Sequence, residues 1–147
     1  MISRHRPMER RGRIIRSIWA ACLLLAALNH GRVLLRHGLL WDYGGVGWAN
    51  SVYWSSLTVI DPIAAALLFA RPRVGVSVSV VLIVTNVIHN LTITARYTPA
   101  GEFLTRASSS PLILSQIGFM LFVGATAHIA WKGLQPGRDA RAVELAA

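Results

Sequence analysis

Asp61 occupies the position in this sequence that most needs a chemical explanation. It stands at the centre of an otherwise uncharged run, Val52 to Ala70, with Pro62 directly after it. An ionisable side chain at the middle of a membrane-crossing helix costs about 2.5 to 3.5 kcal/mol on insertion scales, so such a residue marks a functional site by default. Pro62 has no N–H to offer the carbonyl of Thr58, and the Thr58 hydroxyl is the expected substitute donor. Further polar groups lie in other apolar runs. Asn86, His89 and Asn90 are spaced i, i+3 and i+4, which places them on one helix face. Asn29 and His30 lie in the run before Asp61, Gln116 in the last run, and Trp54 near the start of the Asp61 run.

At 1.5 Å per helical residue, Asn86, Asn29, His30, His89 and Gln116 come to rest about 3 to 8 Å outward of the depth of Asp61 when successive runs alternate in direction. The expectation is a polar pocket floored by Asp61 and opening toward the outer face, lined by Asn29, His30, Trp54, Thr58, Asp61, Asn86, His89, Asn90 and Gln116. A carboxyl group with imidazoles in an apolar cavity is suited to proton transfer, and Asp61, His89 and His30 are the candidates for it. The same three side chains would be a ligand set for zinc or iron. The chain has no HxxxH or ExxH pair to support that, so the expectation is no metal and no cofactor. The plainer alternative is that the amides and imidazoles hold helices together, at about 0.6 kcal/mol per hydrogen bond.

The elements that must carry these residues follow from composition. Of 147 residues, 54% are hydrophobic and 14% charged, with mean hydropathy +0.50, whereas soluble domains carry about 25% charged residues. Four runs are long enough to cross a hydrocarbon core of about 30 Å: residues 17–35, 52–70, 74–94 and 111–131. Runs two and three are rich in Val, Ile, Thr and Ser, which favour strands in water. In a membrane only helices or closed barrels satisfy the backbone, and the alternating ten-residue segments of a barrel are missing. The expected fold is therefore all-α, an integral membrane four-helix bundle over 17–131. A basic tail (1–16) and a C-terminal tail (132–147) flank it. The single cysteine, Cys22, excludes an intrachain disulfide.

Charge predicts the orientation. Eleven of the 15 Lys and Arg residues flank the first run's start, the 71–73 junction and the last run's end; Arg32, Arg36, Arg96 and Arg106 lie on the other side. The positive-inside rule then puts both termini in the cytoplasm. The expected location is the cell membrane, the inner membrane in a bacterium, and the basic N-terminus is expected to touch anionic lipid head groups rather than nucleic acid. Arg32 and Arg36 are expected at the outer end of the first run, either snorkelling to the interface or pairing with Asp42. The glycine-rich loop Trp41 to Trp48 reads as an aromatic lid, and Gly75-x-x-x-Ser79 as a close-packing motif.

This arrangement resembles the EXPERA superfamily of four-helix membrane proteins. The resemblance rests on His30 in the first run, Pro62 in the second, the basic Pro-containing turn Arg71 to Arg73, the aromatic outer connection, and His89-Asn90 at the outer end of the third. It implies a bundle enclosing a sterol-sized cavity. The acids of the family's isomerases have no counterpart: the second run holds no Glu, and the outer half of the first offers Arg32 and Arg36. No catalytic role is carried over. The expected function is binding of a hydrophobic or amphipathic small molecule, with membrane lipids as the other partner. The alternatives are a proton- or ion-coupled transport element, in which the chain works as a homo-oligomer, and an accessory subunit without chemistry. Reporter fusions at each terminus test the orientation: signal is expected only from cytoplasm-dependent reporters, and external signal at either end overturns it.

Overall fold

The computed structural model describes residues 5–134, with side chains from residue 8. Residues 1–4 and 135–147, parts of the two expected tails, lie outside the described residues. The order is α1 (His5–His37), α2 (Trp48–Ala70), α3 (Pro72–Tyr97), α4 (Phe103–Ser109) and α5 (Pro111–Lys132), with no strand among the described residues. Four of these helices, all but α4, are long and apolar enough to cross a membrane.

The β-branched runs are helical throughout. Their backbone bonds close within each helix, and that requirement overrides strand propensity where water is absent. Three boundaries differ from the expected ones. The helix α1 begins at His5, well before Ser17, so the described part of the basic tail continues the first helix. At the other connection, Gly47 (φ 88°) lets the chain turn into α2 at Trp48, where the expected start was Val52. Third, α4 fills part of the connection between α3 and α5, which carried no apolar run to announce it. Proline sets two starts, Pro72 and Pro111, each in the first turn where its missing N–H costs nothing. Ser110 caps α5, its Oγ accepting from the Ile113 N–H at 3.4 Å.

Each long helix packs on two others: α1 on α2 and α5, and α3 on α2 and α5. At the end holding the α2–α3 turn the packing is close. Trp19 is fully buried and donates its indole N–H to Thr126 Oγ1 at 3.1 Å, joining α1 to α5. The Arg16 guanidinium donates to the Ala130 carbonyl at 3.1 Å near the C-terminus of α5, where carbonyls lack helical partners. Ala64, Ala65, Leu68 and Val76 fill the α2–α3 side of this core. Small residues let backbones touch here. A Cβ on Gly75 would overlap the backbone of Leu67 and Leu68. Gly75 and Ser79 are both buried, as the spacing predicts.

Gly75→Leu should therefore force α2 and α3 apart, costing about 3 kcal/mol or more. By contrast, Gly118 has open space where a Cβ would stand, with nothing within 4 Å, and should accept Ala with unchanged or slightly raised stability. Thermal unfolding of the detergent-solubilised variants checks both.

Candidate functional site

Away from the close-packed end, the four long helices part around a cavity of about 310 Å³. Asp61 from α2 and Asn86 from α3 form its floor, being only 4% and 8% exposed. Its walls come from α1, with Cys22, Ala26, Asn29 and His30, and from α5, with Ser115, Gln116 and Phe119. The exposed lining residues belong to the flanks of these two helices. Leu25 on α1 and Leu112 on α5 are 66% and 58% exposed. No residue of the interhelical connections lines the cavity. Its mouth is thus a gap between α1 and α5 on the side of the protein, where the sequence led us to expect an opening at the outer end.

Five of the nine expected lining residues, Asn29, His30, Asp61, Asn86 and Gln116, meet at this cavity. The other four, Trp54, Thr58, His89 and Asn90, do not line it. Asn90 is the hub of a separate amide network. Its Oδ1 accepts from the Trp54 indole N–H at 2.9 Å, and its Nδ2 donates to Gln116 Oε1 at 2.8 Å and Asn86 Oδ1 at 3.0 Å. Tyr53 Oη adds a longer bond to Asn86 Oδ1, 3.4 Å. The network ties α2, α3 and α5 together beside the cavity, and Asn86 and Gln116 belong to both.

His89 turns toward α2 and packs on two aromatic rings. Its ring centroid lies 4.1 Å from that of Tyr53 and 5.5 Å from that of Trp54, the latter edge-on. Its Nε2 is buried without a hydrogen bond. Among the described residues, Asp61 makes no hydrogen bond to either imidazole and has no ion-pair partner. No group of three or more His, Cys, Asp or Glu side chains there is placed to hold a metal ion. The Thr58 hydroxyl is also buried without a partner, so it does not supply the donor that Pro62 lacks.

The glycine-rich loop is fastened over the ends of α2 and α3. A chain of rings runs from His37, stacked on Trp41 at 3.9 Å, through Tyr43 to Trp54. Tyr97 donates to the Val46 carbonyl at 3.1 Å. Half-buried Tyr43 has its phenol pushed above the ordinary range by burial. Asp42, one of the two alternatives expected for Arg32 and Arg36, accepts from the Gly44 N–H at 3.0 Å and organises the turn.

Sequence reasoning missed Cys22, Ser115 and Tyr53. The first was discoverable: Cys22, Ala26, Asn29 and His30 share one face of α1 at helical spacing, as Leu112, Ser115, Gln116 and Phe119 do on α5. Tyr53 carried no such signal.

Fold and cavity together define a class: a helical protein with four membrane-length helices and a polar-floored cavity opening sideways between two of them. No family model, curated protein or solved structure matches the chain.

Asn90→Leu leaves the Trp54 N–H and the Gln116 oxygen unpaired and the Asn86 oxygen with only its longer Tyr53 bond, and should cost about 1 to 3 kcal/mol. Adding Trp54→Phe removes one orphaned donor, so the double variant should lose less than the sum of the singles. Unfolding in mixed micelles measures both.

Proposed function

We propose that this chain is a multi-pass protein of the cell membrane, a four-helix bundle with both termini cytoplasmic, that binds an amphipathic molecule in the cavity between α1 and α5. One observation carries the reading. The polar floor of Asp61 and Asn86 sits behind a mouth on the helix flanks where exposed Leu25 and Leu112 stand beside exposed Asn29 and Ser115. In a bilayer that mouth faces acyl chains. A polar head can then reach the floor while its apolar part stays among hydrocarbon, so no stage of entry requires an apolar surface to cross water.

The cavity volume is at the small end of the range for ligand sites, about 300 to 1,000 Å³. It fits a headgroup with the first part of a chain or ring system, the remainder lying in lipid. Any proton exchange within it falls to Asp61 and His30, the acid and imidazole that line it together. His89 is then a packing residue of the aromatic chain. The four-helix layout, His30, Pro62 and the Arg71 to Arg73 turn keep the EXPERA-like arrangement as part of this proposal.

Native mass spectrometry of the full chain in mild detergent should show a retained amphiphile. Ala26→Phe places a ring in the cavity and should reduce its occupancy at least tenfold, with helical content by circular dichroism unchanged. His89→Gln should leave occupancy near wild type. Equal retention by wild type and Ala26→Phe would overturn the reading.

A further inference from the structure

The polar groups of the cavity are unequal, and their imbalance defines a headgroup chemistry. Asp61 is the only acidic side chain in α2, α3 and α5. It is 4% exposed and lines the cavity, yet among the described residues no side chain or backbone group bonds to it. No Arg or Lys lines the cavity either; the only other titratable groups there are Cys22 and His30. A carboxylate offers two oxygens and about four lone-pair sites. Here every one of them is left to whatever occupies the space.

Ser115 points the same way. The Ser115 hydroxyl uses its one proton on the Leu112 carbonyl at 2.9 Å, leaving its lone pairs as acceptors. Asn29, exposed at the mouth, makes no side-chain hydrogen bond within the described residues and so offers its amide oxygen and its N–H groups alike. The hydroxyl oxygen and the unpaired carboxylate both await donors, whereas the amide can serve either way. An anionic head would meet Asp61 as a like charge in a medium of low dielectric constant, where repulsion is strong. A bare metal ion would lack the cluster of ligands it needs.

We infer that the cavity takes a protonated primary amine carried on an aliphatic chain, with the ammonium group against Asp61 and the chain leaving between Leu25 and Leu112. This rests on the amphiphile-binding reading and narrows it to one head chemistry. An ammonium group supplies three N–H donors and a positive charge, which answers the unpaired acid and the free acceptors together. The aliphatic part follows from the mouth, whose two rim leucines are uncharged and more than half exposed.

The test uses the full chain in mild detergent with three probes of equal chain length, decylamine, decanol and decanoate, read by native mass spectrometry and by thermal shift at pH 7. Wild type should retain decylamine at least tenfold more tightly than decanol, and decanoate least. Asp61→Asn should lose that tenfold preference while decanol binding stays as it was. The wild-type preference among the three probes stands as evidence even if the variant fails to accumulate. Equal binding of decylamine and decanol by wild type, or an amine preference that survives Asp61→Asn, overturns the headgroup inference and leaves the amphiphile cavity standing. Preference for decanoate overturns it too. Failure of all three probes to bind removes the cavity reading itself.

Discussion

A carboxyl group buried among apolar helices is the constraint around which this protein is arranged. Asp61 cannot reach water along its own helix, since it sits at the middle of α2 with apolar residues on either side. It cannot be packed against hydrocarbon without heavy cost. The structure answers by parting α1 and α5 beside it, so that the acid faces a cavity rather than a packed neighbour. Pro62 adds to the local demand by leaving the Thr58 carbonyl without its helical donor. The centre of α2 thus holds two polar side chains without hydrogen-bond partners among the described residues, Thr58 and Asp61, and unsatisfied polar groups in an apolar medium are what a ligand can satisfy.

The remainder of the fold makes that concession affordable. At the α2–α3 turn, backbones meet at Gly75, and α1 meets α5 where Gly12 and Gly133 approach so closely that a Cβ on either would lie 3.0 Å from the other's Cα. Trp19 and Arg16 bond across the same α1–α5 seam. Dispersion and hydrogen bonding, which drive helix association when lipid is as apolar as the core, are concentrated at this end. Toward the opposite end the amides of Asn86, Asn90 and Gln116 replace close packing. Directional bonds hold α2, α3 and α5 at a spacing wide enough to leave space beside them. The α1–α5 pair has no matching amide bridge at that level among the described residues, which is why the gap falls between these two helices.

The loop between α1 and α2 contributes rigidity rather than lining. Its rings stack in sequence down to Trp54, and Trp54 is also the donor to Asn90. The loop, the amide network and the cavity floor are therefore mechanically continuous through one indole.

Much of this was legible in the sequence, and the division has a physical basis. Helix number, helix type and approximate length follow from one-dimensional facts, because a membrane-length apolar run has a single way to satisfy its backbone. The close contact at Gly75 was legible for a similar reason: the absence of a side chain is a local property. The depth of the polar residues was also readable, since rise per residue is fixed, and five of the nine expected site residues do meet at one cavity. Rotation about each helix axis was not readable. It is set by how neighbouring helices pack, and it alone sends His89 onto Tyr53 and Trp54 while Asp61 faces the space between α1 and α5. Asn90 could be placed on a face with Asn86 but not assigned its partners, for the indole of Trp54 and the amide of Gln116 come from helices distant in sequence. The sequence by itself determined that a buried acid would need an environment; only the packing of α1 against α5 decided that the environment would be a cavity open to the side, because a gap belongs to a pair of surfaces and no single helix encodes it.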